Sequence, residues 1–459
     1  MTIKSDLLIL SIVSSLSLPL LSGCGGSGGD SATPTNNAGA DNGTSDGGTS
    51  DGGTSGGGTS GGGTSDGGTL GGGTLGGGTS DGGTSDGGTS DGGTSDGGTS
   101  DGGTSDGGAS DGGTLAPGEM PVAEGQSKVL GAVSDSVITP MYQSFLDSTQ
   151  SLASATNTYC NISEPQQSDL SQLQDSWKQV NSQWQMIRAT KFGPLADNFT
   201  YSRIQLWPFL PSRIVSSVES TIETSYDFSQ GFNDSTHQRQ GLPAFEYLVF
   251  NQETDTNILT AADKAERCNY LKAIASNVNN LMTSVNSQWV SEFSQQFKAG
   301  NGEFESSKSA LETLFKYWFE YLEVIADDKL KKPLGLDVPG KPEELESHWA
   351  QVSLQSIESN ITSLKALYDA GDEFGFDDYL VAVNNREDLK DDINERFEVI
   401  FAILKTMEGN KLADLIQQSE GREKINELGV AITALRTVMS TDFVQVTDIQ
   451  PGFNTNDGD

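Results

Sequence analysis

Histidine and basic residues are scarce in this chain of 459 residues. It has two histidines, and its 27 lysines and arginines face 63 aspartates and glutamates, for a formal net charge of -36. So acidic a chain argues against nucleic acid and anionic lipid as partners, because both carry the same sign of charge. From Glu119 onward there is also no Gly-x-Ser-x-Gly and no His-Glu-x-x-His. Neither a serine nucleophile nor a helical zinc site is therefore indicated.

The N-terminus has the three parts of a secretory signal. Lys4 precedes an apolar stretch from Leu7 to Leu21, which ends in Leu21-Ser22-Gly23-Cys24. The stretch is shorter than the roughly 20 apolar residues of a transmembrane helix and contains several serines, which favours a signal peptide over a membrane anchor. We predict that residues 1–23 are removed and that lipid on Cys24 attaches the chain to a membrane, as in bacterial lipoproteins. Because Gly25 follows Cys24, we expect the outer membrane, with the protein facing the periplasm or the cell surface.

Large apolar residues are almost absent from residues 24–118. Most of this segment consists of Gly, Ser, Thr and Asp, and from Thr44 to Gly113 it repeats every five residues, most often as Thr-Ser-Asp-Gly-Gly. Such a composition cannot bury enough apolar surface to offset the entropy of ordering the chain. A calcium-binding β-solenoid would need a large apolar residue in every turn. We therefore predict a disordered linker, with a root-mean-square reach of roughly 50–60 Å.

Two cysteines remain once Cys24 carries lipid, namely Cys160 and Cys268. An exported protein meets an oxidising compartment, where two remaining cysteines usually pair. We predict a disulfide between them. The alternative is two separate buried thiols.

Period-two alternation is also missing from residues 119–459, whereas helical spacing of apolar residues recurs throughout. We expect a first helix over about 128–159, with Pro140 as a kink or break, and another over about 170–190. The spacing predicts an all-α domain of two helical bundles, with halves of about 119–300 and 301–459. Four stripes carry this prediction: Leu271, Ile274, Val278, Leu281, Val285, Trp289 and Phe293; Leu311, Leu314, Phe315, Trp318, Phe319, Leu322 and Ile325; Leu354, Ile357, Ile361, Leu364 and Leu367; and Ile393, Phe397, Ile400 and Leu404.

Several short motifs follow one another in the same domain. They are Trp177 with Trp184, Arg188 with Phe192-Gly193-Pro194, Arg203-Ile204-Gln205-Leu206-Trp207-Pro208, Gly241-Leu242-Pro243-Ala244-Phe245-Glu246, Pro333-Leu334-Gly335 with Glu346-Ser347, and Gly452-Phe453-Asn454 to Asp457-Gly458-Asp459. Each motif is weak alone. Their order and spacing from Lys128 to Asp459 resemble those of the imelysin-like family of bacterial envelope proteins.

This resemblance implies an all-helical fold of two bundle-like halves with a site in the cleft between them. Imelysins are named for an insulin-cleaving activity and are classed with metallopeptidases, while relatives are tied to iron uptake. Some relatives bind metal through the His and Glu of a Gly-x-His-x-x-Glu hallmark. The resemblance therefore makes a divalent metal or iron a possible cofactor or ligand of the chain.

The hallmark is altered in this sequence. Gly241 and Glu246 match it, but its histidine position is Pro243, which has no ligand atom. Proline suits the first turn of a helix, so the helix start is preserved while the metal-binding pair is broken. Besides these three residues, we predict Arg188, Arg203 and Glu346 as cleft residues. In this interpretation Glu246 is a cleft carboxylate opposite Arg188 or Arg203. The alternative is that the two arginines are structural partners of buried carboxylates.

The two histidines are weaker candidates for metal ligands beside Glu246. His237 lies in a polar stretch just before the hallmark, where a solvated side chain is the alternative. His348 lies beside Glu346 and Ser347. A hydrolytic zinc site normally has three protein ligands and a water, so two histidines offer little support for one.

These observations favour a non-enzymatic binding lipoprotein of the cell envelope, linked to iron or other metal acquisition. Its expected partners are the membrane, through the lipid on Cys24, and a metal, a metal carrier or an envelope protein. The alternatives are an active metallopeptidase and a tethered adhesion or scaffold protein.

Overall fold

All regular structure in the described part of the chain is helical. The computed structural model describes residues 116–232 and 237–452. The predicted signal peptide, Cys24, nearly all of the linker and the motif end Phe453–Asp459 lie outside these residues. Among the described helices, none combines the length and apolar character needed to cross a membrane.

The helices fall into an N-terminal and a C-terminal series. The first contains α1 (Val122–Ala132), α2 (Thr139–Cys160), α3 (Gln167–Ile187), α4 (Thr200–Ile204), α5 (Pro211–Glu223), α6 (Leu242–Phe250), α7 (Lys264–Gln288) and α8 (Ser294–Ala299). The second contains α9 (Ser307–Glu323), α10 (Lys332–Leu334), α11 (Ser353–Asp369), α12 (Phe376–Ala382), α13 (Glu387–Met407), α14 (Leu412–Leu415), α15 (Ser419–Val438) and α16 (Val444–Thr447). Four π-helical segments continue α-helices: Val133–Ile138, Trp289–Phe293, Val324–Lys331 and Met439–Phe443.

The predicted apolar stripes form the core. The stripes of α11 and α13 are buried throughout. In α7 and α9 the stripes are buried except at two positions, Leu281 and Phe319, which pack against the core while partly exposed. At the first of these, Met282 takes the buried position instead. The all-α prediction is confirmed.

Pro140 does not break the first helix. Its helical path continues from Val122 to Cys160, with Pro140 in the first turn of α2 directly after the π-helical segment Val133–Ile138. A proline has no N–H to donate. Thr139 supplies a donor nearby, because its hydroxyl bonds the carbonyl of Ser134 at 2.7 Å. The predicted kink is thus a π-helical segment in an unbroken helix.

The two series pack along α3 and α11. Asn181 of α3 donates to the hydroxyl of Ser356 at 3.0 Å, and the hydroxyls of Ser182 and Ser359 lie 3.1 Å apart. Helix α1 also packs against α9 and α12. A seam lined by small polar side chains lets the α3 and α11 backbones approach closely, and it leads directly to the candidate site at the C-terminal end of α3.

Cys160 and Cys268 form a disulfide, as predicted, with their Cα atoms 5.5 Å apart. The bond joins the C-terminal end of α2 to the first turns of α7. The alternative of two separate thiols is therefore wrong.

Candidate functional site

The hallmark segment begins at a glycine that no other residue could easily replace. Gly241 has φ of +91°, and a Cβ atom there would lie 2.5 Å from the carbonyl oxygen of Arg203 and closer still to that of Ile204. Pro243 lies in the first turn of α6, as predicted. The carbonyl of Leu242 accepts a hydrogen bond from the indole of Trp177 at 3.1 Å. Close backbone contact and this indole fix where α6 starts.

Glu246 lies one turn into α6 and is only 4% exposed. Its carboxylate accepts the backbone N–H of Ala350 at 2.8 Å and that of Trp349. Burial nevertheless raises the pKa of Glu246 to about 8, and the nearby charge of Glu346 contributes in the same direction. At neutral pH the carboxyl group is therefore mostly protonated.

Arg188 and Glu346 form a buried ion pair. Arg188 lies in the 3-10 turn that ends α3, and its Nη1 donates to Glu346 while its Nε donates to the hydroxyl of Tyr201 at 2.9 Å. The guanidinium carbon is 5.5–6.0 Å from four aromatic rings, which belong to Trp184, Tyr201, Trp207 and Tyr321. Ring faces attract a cation, most strongly when water is excluded.

Lys329 completes this cluster and was not predicted from the sequence. Its ammonium nitrogen lies 2.6 Å from Glu346, 2.6 Å from the side-chain oxygen of Asn360 and 2.9 Å from that of Gln185. Burial lowers the pKa of Lys329 to about 7. Burial alone would raise the pKa of Glu346, but Lys329 and Arg188 outweigh it and hold that pKa below its usual value.

The π-helical segment Val324–Lys331 carries Lys329 into the core. A charged run such as Asp327-Asp328-Lys329 is typical of a solvated helix end. Only its spacing could have identified Lys329 as buried, because it lies four residues after Ile325 and continues the apolar stripe of Leu322 and Ile325. A lysine on an apolar stripe indicates a buried charge with a partner.

Arg203 is not brought to Glu246. Its Nε donates to the side-chain oxygen of Gln240 at 3.2 Å, and Asn277 bonds the same oxygen at 3.2 Å. Of the two predicted arginines, Arg188 is the one whose partner, Glu346, adjoins Glu246. Arg203 instead lies beside the backbone at the start of α6.

Neither histidine joins a metal-binding group. The ring of His237 lies 5.9 Å from that of Phe199, and burial with the nearby charge of Arg203 lowers its pKa. Nδ1 of His348 lies 3.1 Å from the carbonyl oxygen of Pro342. Within residues 116–232 and 237–452, no three His, Cys, Asp or Glu side chains come close enough together to hold a metal ion. The donor set does not fit the metal that the hallmark implies, because Pro243 offers no ligand and Glu346 is already paired with two cations.

A small cavity of about 110 Å³ lies beside the ion pair. Arg188, Lys191, Tyr201, Trp207, Tyr317 and Tyr321 line it together with Glu320 and Asp328. The cavity lies next to the guanidinium group of Arg188 and to the aromatic rings that surround it. A binding site for a small group is the simplest chemistry that this arrangement offers.

Comparison with known proteins agrees with the fold and the motifs. A sequence profile described as imelysin, peptidase M75, matches residues 138–439, well over half of the chain. The chain belongs to the imelysin family. No curated protein gives a significant match.

Two solved structures share the imelysin fold with this chain. One is an imelysin-like protein from Psychrobacter arcticum 273-4, with 18% sequence identity, a TM-score of 0.61, and coverage of 74% of this chain and 100% of that one. The other, provisionally named iron-regulated protein A precursor, is from Parabacteroides distasonis ATCC 8503, with 16% identity, a TM-score of 0.56, and coverage of 70% and 97%. At these identities the likeness is one of fold alone.

Proposed function

We propose that this imelysin is a lipid-anchored protein of the cell envelope that binds a ligand without cleaving it and serves iron or other metal acquisition. The iron-regulated name of one structural relative supports the metal-linked role. The Leu21-Ser22-Gly23-Cys24 sequence supports the anchor. The ligand in this proposal is a metal carrier or a partner protein rather than a bare ion.

The altered hallmark is the main support for a binding function without cleavage. Pro243 replaces the metal-binding histidine, and the carboxyl group of Glu246 is buried against the backbone N–H groups of residues 349 and 350. A hydrolytic metal site needs an open coordination position and a water that a base can activate. The neighbouring carboxylate, Glu346, is paired with Arg188 and Lys329 and so cannot act as that base without leaving two buried cations unpaired.

The test is metal content and cleavage measured on one preparation. The full chain is purified in detergent without chelator, its metals are quantified by mass spectrometry, and insulin is offered as a substrate. We expect substoichiometric metal and no cleavage, for the chain and equally for Glu246→Gln and the exposed control Glu253→Gln. Stoichiometric metal with cleavage that Glu246→Gln abolishes would establish a metallopeptidase instead.

Two further measurements address the metal link and the anchor. Transcript levels should rise when cells are starved of iron, and a constant level would remove the acquisition role. The Cys24→Ser chain should fail to incorporate labelled fatty acid and should leave the membrane fraction. A variant that stays membrane-bound would contradict the lipid anchor.

A further inference from the structure

The guanidinium group of Arg188 is not fully used by the protein. Nε bonds Tyr201 and Nη1 bonds Glu346, but no hydrogen-bond acceptor for Nη2 is found among the described residues. The residue is 3% exposed and lines the 110 Å³ cavity. Nη2 is not one of the buried side-chain atoms without a partner, so it is accessible from the cavity. A group in the cavity could therefore accept a hydrogen bond from Nη2 in place of solvent, and such a bond to a charged donor is a strong one.

The charges around the cavity also favour an anion. Arg188 and Lys329 share Glu346, which is the one carboxylate within ion-pair distance of either cation in the described ranges. One carboxylate thus serves two buried basic side chains. Lys329 is only partly charged at neutral pH, because burial lowers its pKa to about 7, so a second anion would pair mainly with Arg188.

Two residues at the cavity could share an anion with Arg188. The hydroxyl of Tyr201 accepts the Nε–H of Arg188 and so keeps its own proton to donate elsewhere. Lys191 is exposed, with its ammonium 5.1 Å from the centre of the Tyr201 ring, and it lines the cavity. Two carboxylates, Glu320 and Asp328, also line the cavity and oppose an anion, although Lys316 lies 3.9 Å from the first and Lys332 lies 3.5 Å from the second. An anion therefore fits best at the Arg188 and Tyr201 end.

We infer that this cavity, which we call the Arg188 pocket, binds a carboxylate group through Nη2 of Arg188, the hydroxyl of Tyr201 and the ammonium of Lys191. An organic acid suits the cavity better than an inorganic anion, because the aromatic residues Trp207, Tyr317 and Tyr321 line it beside the polar groups and could contact a carbon stem. The volume is that of a few water molecules, enough for a carboxylate and roughly one or two further carbons. The carboxylate belongs either to a free small acid or to one arm of a larger carrier. This inference rests on the proposed binding function and names the ligand chemistry of the same site.

The test is calorimetric titration of the full chain with sodium acetate, sodium citrate and sodium phosphate, at pH 7 and at ionic strength held constant with sodium chloride. We expect acetate or citrate to bind with one-to-one stoichiometry. Tighter citrate binding would assign the carboxylate to a larger molecule, and tighter acetate binding would assign it to a free acid. Phosphate that binds more tightly than both, or an absence of binding by both acids, would overturn the inference.

Three variants separate the pocket from the rest of the surface. Tyr201→Phe keeps the ring and removes one donor to a charged group, so affinity should fall about tenfold. It also removes the acceptor of the Arg188 Nε–H, so the unfolding midpoint should fall as well, and binding is measured at a temperature where the variant is folded. Val324 also lines the pocket, and the larger side chain of Val324→Phe should block it. Lys191→Gln should weaken binding severalfold, whereas the control Lys178→Gln, on a partly exposed lysine outside the pocket, should not. Binding that survives both Tyr201→Phe and Val324→Phe would place the acid elsewhere.

The two proposals fail in different ways. Metal-dependent insulin cleavage would contradict the proposed function without changing the measured binding of acetate or citrate. An absence of acid binding would contradict the carboxylate site in the Arg188 pocket without changing the response of transcript levels to iron.

Discussion

The ammonium nitrogen of Lys329 lies 2.6 Å from a carboxylate oxygen of Glu346, and both side chains are buried. The other oxygen of Glu346 bonds Arg188 at the end of α3. A single carboxylate thus joins the π-helical segment Val324–Lys331, the end of α3 and the loop before α11. Its charge holds together the elements that meet at the candidate site, and this makes it the most informative residue to change.

Glu346→Gln should destabilise the protein strongly. It leaves Arg188 and Lys329 buried without a counter-charge, and breaking a buried pair from one side typically costs about 3–5 kcal/mol. Urea unfolding at pH 7 measures the free energy of unfolding. The exposed neighbour Glu343 provides the control, and Glu343→Gln should stay within about 0.5 kcal/mol of the parent. Equal effects of the two changes would contradict a buried charge cluster.

Glu246 should make the protein less stable as pH rises from about 5 to about 8. Its pKa is raised to about 8 in the folded chain, so in this window the folded state binds more protons than the unfolded state. Each unit of pKa difference corresponds to about 1.4 kcal/mol. Lys329 acts in the opposite direction above pH 7, because its folded pKa is lowered to about 7 and the unfolded state then binds more protons.

Unfolding free energies at pH 5, 6, 7 and 8 test this prediction. Glu246→Gln keeps the side-chain shape and removes the titration, so its profile should be flatter than that of the parent below pH 7. Glu253→Gln, on an exposed carboxylate outside the cluster, should keep the parent slope. A parent and a Glu246→Gln variant with the same slope would show that the carboxyl group is not protonated on folding.

The fold was predictable because apolar stripes repeat at helical spacing over long segments. Helices such as α11 bury every residue of the predicted stripe, because their apolar residues lie on a single face. The motifs also singled out Arg188, Glu246 and Glu346, which the structure places close together. Arg188 lies at a helix end, Glu346 in a turn and Glu246 one turn into α6, and glycine or proline marks the backbone near each of them.

The partners within the site were harder to predict. Lys329 lies in a charged run, and only its place on the stripe distinguishes it from a solvated lysine. Arg203 and Arg188 both lie in the predicted motifs, but the partner of Arg203 is Gln240. The contacts of such a long side chain depend on how α4 and α6 pack, which the sequence does not specify. Pairings across 158 residues, such as Arg188 with Glu346, are set by the packing of α3 and α11 and leave no local pattern.

Removing the disulfide should cost about 4–5 kcal/mol, the loop-entropy estimate for about 107 enclosed residues. The bond links Cys160 and Cys268, which are 108 residues apart. The comparison is between the parent and the Cys160→Ser/Cys268→Ser double variant in urea, each with and without reductant. Reductant should lower the unfolding midpoint of the parent alone. A parent that does not respond would mean that the bond contributes little to stability.

Gly241→Ala should lower the free energy of unfolding by more than the backbone strain of a positive φ alone would. Gly409 is the matched control, because it also has a positive φ, of +80°, but a Cβ atom there meets nothing within 4 Å. Alanine at such a conformation costs more than about 1 kcal/mol at either position. At Gly241 the contact with the backbone of Arg203 and Ile204 adds to this cost. Equal losses in urea unfolding would mean that α4 and α6 move apart without penalty.

Pro243→His should restore part of the metal site that the sequence has lost. Residues 243 and 246 are three apart and share one face of α6, so the new imidazole and Glu246 could reach one cation. Two protein ligands are fewer than the three of hydrolytic zinc sites, and we therefore expect cobalt or zinc binding without insulin cleavage. Cobalt absorption spectra and calorimetry measure it, with Pro243→Ala as the control that lacks a ligand.

The pH dependence of that binding gives a second readout. A metal must displace the proton that Glu246 holds up to about pH 8, so the apparent affinity of Pro243→His should rise between pH 6 and pH 8, with proton release. In the double variant Pro243→His/Glu246→Gln the binding should be weaker and lose the part of the pH dependence that comes from the carboxyl group. If the parent chain bound cobalt as tightly as Pro243→His, metal binding would not depend on the hallmark histidine, and the loss of that residue would say nothing about function.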